Sequence, residues 1–257
     1  MTRDLGRTAN SQLMALWLSI VCWTVTTATL GVVQWRVWYV RDTSVITSGV
    51  ASVGVWKTCF DSHVLVSPGY LIMFCRGMAA GGSAARDFPP SEIIAAQVLV
   101  PLALVAGLGG NAVGVYALRN VYFGLCKGRG RSVRLAFSCA GALFLLSSAL
   151  SLGPLAWNLH AVLSNHTIAF PPEFHMPEAP TSQSLGTGIV VGMAAGLLML
   201  VSGVVFLSYR PPPGVTSTTR ATRAWTAGSE ATSAVRGAAG GGAAGKDNPA
   251  FDSHERL

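Results

Sequence analysis

Four long runs without Asp, Glu, Lys or Arg divide this sequence, and each is long enough to cross a lipid bilayer. They predict membrane spans at residues 13–33, 93–118, 135–157 and 185–209. A helix needs about 20 apolar residues to cross the hydrocarbon core. Only 11% of the residues are charged, whereas soluble domains carry about 25%. The sequence therefore predicts an all-α four-helix membrane bundle.

The first run also allows a second interpretation, a cleaved signal peptide, because small residues surround position 30. The run is longer than the usual signal core of about 7–15 residues. In addition, Asp4 offsets the positive charge of Arg3 and Arg7. We favour an uncleaved first span over residues 13–33.

The short loops predict the orientation of the chain. Residues 119–134 contain no acidic residue and five basic ones, Arg119, Lys127, Arg129, Arg131 and Arg134. Residues 158–184 contain no Lys or Arg, and short basic loops stay in the cytoplasm. We therefore expect 1–12, 119–134 and 210–257 inside, and loop one (34–92) and loop two (158–184) outside. The net charge of +7 is then mainly a topology signal, and a nucleic-acid partner is not expected.

Loop one has the composition of a small antiparallel sheet. Residues 37–40 and 44–55 are rich in Val, Ile, Thr, Tyr and Trp, which favour strands, and Asp42 and Gly49 favour turns. Such a sheet buries little apolar surface and needs a further constraint. Cys59 and Cys75 are the only cysteines in the two outer loops. We expect a disulfide between them, with two free thiols as the alternative.

The tryptophans of loop one allow two interpretations. Trp35 and Trp38 are close to the first span, where aromatic residues often mark the membrane interface. Trp56 is far from either neighbouring span in sequence, so an interface role explains it less well.

The order of these residues resembles the claudins and the related peripheral-myelin-protein and channel gamma-subunit families. The motif is Trp35, then Gly54-Val55-Trp56-Lys57-Thr58-Cys59, then Cys75, in the first outer loop of a four-span chain. Pro154–Trp157 and Leu185–Leu198 resemble two further claudin segments. Val55 stands where claudins usually have Leu, and Ala96-Gln97 lacks the Arg that follows in the claudin signature.

The resemblance implies a tight-junction protein of the plasma membrane that binds itself and other claudin-like proteins, within one membrane and between cells. It would mediate cell–cell adhesion and form or seal the paracellular barrier or ion pore. The alternative is an auxiliary, gamma-like subunit of a channel or receptor in the same membrane. No cofactor or metal is implied. An enzyme is not expected, because the spans lack carboxylates and intramembrane catalysis usually requires ionisable groups.

The resemblance also implies roles for particular residues. Arg76 follows the second cysteine, like the claudin charge-selectivity position, and would disfavour cations in a pore. The alternative is a solvated surface arginine. The loop-one charges are Arg36, Arg41, Lys57, Arg76 and Arg86 against Asp42, Asp61, Asp87 and Glu92. Phe170 and Phe174 resemble the claudin contact between cells, with packing against the loop-one sheet as the alternative.

The sequence also contains candidate modification sites and a polar C-terminal segment. Asn165-His166-Thr167 is an N-glycosylation sequon, and Cys126 is a palmitoylation candidate or a free thiol. His160, His166 and His175 have no spacing typical of a zinc site. Residues 210–257 are expected to be disordered, and the carboxylate of Leu257 is a weak match to PDZ-type scaffolds.

Overall fold

The computed structural model describes residues 2–63, 72–78, 88–123 and 130–209. All of them belong to one compact unit, Met1–Pro211. Several predictions lie outside the described residues: the palmitoylation of Cys126, the disorder and scaffold binding of 210–257, and the charges of Arg86 and Asp87.

Four long helices form the bundle that the apolar runs predicted. They are α1 (Thr2–Gly31), α2 (Ser91–Tyr122), α3 (Gly130–Leu163) and α4 (Thr187–Leu207). Within the described ranges, the segments long and apolar enough to cross a membrane are Asn10–Gly31, Ser91–Tyr122, Ser132–Leu163 and Thr187–Leu207. Large apolar side chains such as Trp17, Val105 and Leu135 are more than half exposed along these helices. Outward-facing apolar surface of this kind suits a lipid environment.

The inside of the bundle is packed by aromatic rings against glycines. Phe206 contacts both Phe137 and Phe144, with ring centroids 5.6 and 5.2 Å away. All three rings are buried. At Gly110 an added Cβ would lie 2.7 Å from the Phe144 ring. Small residues allow such close approach between membrane helices.

A five-stranded antiparallel sheet continues from one end of the bundle. Its strands are β1 (Arg36–Tyr39), β2 (Val50–Val53), β3 (Lys57–Ser62), β4 (Ile72–Gly77) and β5 (Ser182–Leu185). Their order is β4-β3-β2-β1-β5. The fold class is therefore the predicted one, four helices with a small antiparallel sheet. The sheet is larger than expected, because loop two supplies β5 and joins both loops into one structure.

Three of the differences from the predicted boundaries concern loop one and loop two. Leu185 ends β5, opposite Arg36, and does not begin the fourth span, since the unpaired edge of β1 recruits this segment. Helix α3 continues past Trp157 to Leu163, because Ala161 and Val162 are buried. Residues 44–49 form turns instead of strand, with Gly49 at φ +65°.

The two faces of the sheet differ in burial. Trp38, Ala51, Val53 and Phe60 face a core that includes Ile46, Met78, Phe88, Ile93, Ile168 and Phe174. We call this the packed face. Side chains alternate between faces along a strand, so the opposite face carries Tyr39, Val50, Ser52, Lys57, Asp61 and Met73. These six side chains are exposed or half-exposed, and we call this the open face.

Candidate functional site

The predicted disulfide is present and joins β3 to β4. Cys59 and Cys75 are directly opposite in the register of these strands, and their sulfur atoms are bonded. Cys59 is buried. Closing a loop of 16 residues contributes about 3 kcal/mol through the unfolded chain. The bridge therefore fixes the edge strand β4, which has a single neighbouring strand among the described residues.

The motif residues connect the sheet to the bundle. Trp35 is 2% exposed, and its Nε1 donates a hydrogen bond to the Thr29 carbonyl at 2.8 Å. Val55 lies in the same apolar cluster. Gly54 is required by close approach, since a Cβ there would lie 2.9 Å from the Cα of Val33. Trp38 is also fully buried, so the interface-belt interpretation of Trp35 and Trp38 is wrong.

Gln97 holds the turn that carries Trp56. The Gln97 amide donates to the carbonyls of Val55 and Met78, both at 2.8 Å. The Met78 amide donates to the Trp56 carbonyl at 2.7 Å. The Trp56 side chain itself is 46% exposed. Gln97 was noted in the sequence only as a fragment of a signature, because nothing local indicates two distant carbonyl partners.

A buried charged network lies beneath β1. The Arg36 Nη2 donates to the Glu92 carboxylate at 2.9 Å and to the Asn158 side-chain oxygen at 2.8 Å. The Asn158 amide in turn donates to the Glu92 carbonyl at 2.8 Å. Burial lowers the pKa of Arg36, and the hydrogen bond and charge of Glu92 oppose that shift. From the sequence, Arg36 and Glu92 are two of the loop-one charges, whereas in the structure they neutralise each other away from water.

An aromatic cluster joins loop two to the packed face. Phe170 contacts Trp38 edge-on, with ring centroids 5.2 Å apart. Phe174 contacts Phe88 at 4.9 Å and Phe170 at 5.5 Å. Phe174 is 5% exposed. These positions match the packing alternative, and a role of the two rings in contact between cells stays a prediction.

Arg76 pairs with loop two. Its Nη2 donates to the Glu173 carboxylate at 2.6 Å, and its guanidinium lies 5.9 Å from the centre of the Phe174 ring. Arg76 is opposite the buried Thr58 in the register, so it extends from the packed face at the edge of the sheet. No local sequence signal identifies Glu173 as the partner, because 97 residues separate the two.

The open face borders a groove of about 450 Å³ beside the end of α1. Its lining residues are Val32, Val33, Gln34, Ser48, Val50, Ser52, Cys59, Phe60, Asp61 and Met73. Asp61 is the charged residue among them. The groove combines apolar and polar lining, which suits contact with another protein or a hydrated ion.

The sequon follows the end of α3, and two of the three histidines lie near it. Asn165 is exposed and has φ 52°. His160 and His166 have ring centroids 6.4 Å apart, whereas His175 contacts Phe74 in β4. No group of three His, Cys, Asp or Glu that could hold a metal occurs within the described ranges.

The arrangement defines a class of protein: a four-helix membrane bundle that carries a disulfide-linked sheet built from both of its long loops. Residues 17–208 match the family described as PMP-22/EMP/MP20/Claudin tight junction. The chain belongs to this family. At the family level it is therefore a claudin-like tight-junction membrane protein.

Curated relatives agree with the family. Rat claudin-3 is 28% identical over 198 residues, covering 76% of this chain and 80% of the relative. Mouse claudin-5 is 28% identical over 203 residues, with the same coverage. Dog claudin-2 is 25% identical over 183 residues and 70% of each chain.

Proposed function

We propose that this protein is a structural component of tight junctions that mediates cell–cell adhesion and forms or seals the paracellular barrier. The observation that carries the proposal is the single sheet made from both loops. One face is covered by a core that it shares with loop two and the start of α2, and the other is open. A rigid sheet of this kind presents a fixed surface to neighbouring proteins.

The chemistry of the sheet supports an interaction role. Its exposed apolar side chains, such as Tyr39 and Met73, are 44% and 65% exposed, and aromatic residues and Met are enriched at protein interfaces. The charges of the open face are one of each sign, Lys57 and Asp61. We infer homotypic and heterotypic partners of the claudin class, which is what membership of the family implies.

The proposal includes an orientation. The basic residues of 119–134 support a cytoplasmic position for that loop and for both termini, with loop one and loop two outside. Epitope tags at the N-terminus and between Gly82 and Ser83, read in intact and permeabilised cells, test it. A tag after Gly82 that is accessible only after permeabilisation would contradict the orientation.

Arg76 is the proposed charge determinant if the protein forms a pore. A fixed positive charge beside a narrow aqueous path disfavours cations when no counter-charge offsets it. Phe170 and Phe174 are proposed to support contact between cells indirectly, by fixing the position of loop two on the sheet.

Expression in cells without tight junctions tests the function. We expect strands at cell–cell contacts by freeze-fracture imaging. In an epithelial layer we expect a changed transepithelial resistance. The double variant C59S/C75S is the matched control, because it removes the constraint on β4 and leaves the spans intact. Absence of strands, with co-purification of a channel or receptor, would favour the auxiliary-subunit alternative.

A further inference from the structure

We propose that Glu173 neutralises Arg76 and thereby sets the ion selectivity of this protein. This inference rests on the proposed function and assigns a role to a residue of loop two. It follows from the pairing of the two loops at the edge of the sheet.

The geometry holds the two charges together. Arg76 Nη2 and Glu173 Oε2 are 2.6 Å apart. Glu173 belongs to a single 3-10 turn, Pro172–Phe174, whose last residue is buried in the aromatic cluster. The Arg76 guanidinium lies over that same Phe174 ring, an arrangement that favours a cation. Phe174 therefore fixes the backbone of Glu173 and supports the Arg76 side chain.

The pair affects the electric field more than the stability. The Arg76 and Glu173 side chains are 45% and 70% exposed, and exposed ion pairs contribute little to stability. An isolated charge, in contrast, acts on ions over about one Debye length, roughly 8 Å in physiological salt. A neighbouring opposite charge turns this field into that of a dipole, which decays more steeply with distance. Arg76 alone would disfavour cations, whereas the pair is nearly neutral.

The remaining charges of the described sheet do not alter this balance. Lys57 and Asp61 on the open face have opposite signs, and Arg36 is buried against Glu92. We therefore expect weak selectivity in the natural chain. Removal of the Glu173 charge leaves one net positive charge at the sheet edge.

Dilution potentials across transfected epithelial layers measure the effect. For an ion that passes within roughly one Debye length, an unpaired unit charge repeated in a few subunits changes permeability by about twofold. We expect E173Q to lower the ratio of sodium to chloride permeability about twofold and R76Q to raise it about twofold. R76Q/E173Q should return to the natural ratio. E178Q is the matched control, an exposed carboxylate of the same loop, and should have a smaller effect.

Carbodiimide crosslinking tests the pair independently of any junction. R76K provides an amine beside Glu173. After crosslinking and digestion, we expect mass spectrometry to detect an amide that joins the peptide containing position 76 to the peptide containing Glu173. R76K/E178Q should keep this crosslink and R76K/E173Q should lose it. A missing crosslink in R76K would overturn the pairing.

The two tests separate the inference from the proposed function. Suppose that the natural chain forms strands and changes the resistance while E173Q has the same ratio of sodium to chloride permeability as the natural chain. That result would overturn the role of Glu173. Cells without strands or changed resistance would overturn the proposed function and the selectivity with it. Even then, the crosslink would show whether the two charges are neighbours.

Discussion

Arg36 donates a hydrogen bond to the Glu92 carboxylate across 2.9 Å, with 1% and 11% of the two side chains exposed. The pair joins the first strand of the sheet to the first turn of α2. Asn158 extends the connection to α3. Three parts of the chain are thus held together by one guanidinium at the junction of bundle and sheet.

Breaking this pair should strongly destabilise the protein. In E92Q the buried Arg36 loses its counter-charge, and removing one partner of a buried ion pair costs about 3–5 kcal/mol. The Nε and Nη1 atoms of Arg36 are already buried without a partner in the described part of the chain. We expect a clearly lower thermal unfolding temperature in detergent.

Two controls test whether the burial of the Arg36–Glu92 pair causes this loss of stability. R41M removes an exposed arginine of the same loop and should leave the unfolding temperature unchanged. R36M/E92M replaces both charges by apolar side chains, which is often close to neutral, so it should recover much of the loss. An E92Q protein as stable as the natural chain would show that the pair is not formed.

Loss of the disulfide should loosen the edge strand β4. Without it the protein loses about 3 kcal/mol of stabilisation through the unfolded chain. C59S, C75S and C59S/C75S should therefore behave alike in thermal unfolding. In the natural protein, neither Cys59 nor Cys75 should react with a thiol reagent before reduction. Labelling of either residue in unreduced surface protein would contradict the bridge, and C139S is a control that should change neither result.

The sequence was informative where one physical signal dominates locally. The absence of charge in four runs predicted four helices, because hydrocarbon excludes unpaired charges. Cys59 and Cys75 were identifiable because only these two cysteines lie in the loops expected outside. The strand predicted near β1 was also correct, because its signal is local: the β1 side chains alternate between the core and the open face.

The missed features depend on partners distant in sequence. β5 reads Ser-Gln-Ser-Leu, which has no strand signal of its own and pairs because β1 offers a free edge. Glu173 and Gln97 were missed because their partners are 97 and 42 residues away. Trp35 was given a membrane-interface alternative because composition alone does not distinguish a buried ring from one at the lipid boundary.

Position 188 should tolerate no side chain, because Gly188 lies directly against Trp35. A Cβ on Gly188 would lie 2.6 Å from the Cδ1 of Trp35, a ring that is 2% exposed. Overpacking of this kind costs about 1–3 kcal/mol, so G188A should lower the unfolding temperature. G153A is the matched control in a helix, since its Cβ would meet nothing within 4 Å. Equal unfolding temperatures for G188A and the natural chain would contradict the close approach.

The sequon at Asn165 should carry an N-linked glycan. Residues 163–167 are all exposed, and the chain leaves α3 at Leu163, so Asn165 lies on an accessible turn. We expect a faster-migrating band after treatment with an N-glycosidase, and no such shift in T167A, which keeps Asn165 and its turn.

The glycan would also report orientation, because glycosylation occurs only in the secretory lumen, which is topologically outside the cell. A glycosylated Asn165 would therefore fix loop two outside, and α3 and α4 would then place residues 119–134 and the C-terminal tail inside. S164A is the control for the turn, since it leaves the sequon intact and should keep the shift. Identical migration of the natural chain before and after the glycosidase would contradict the prediction.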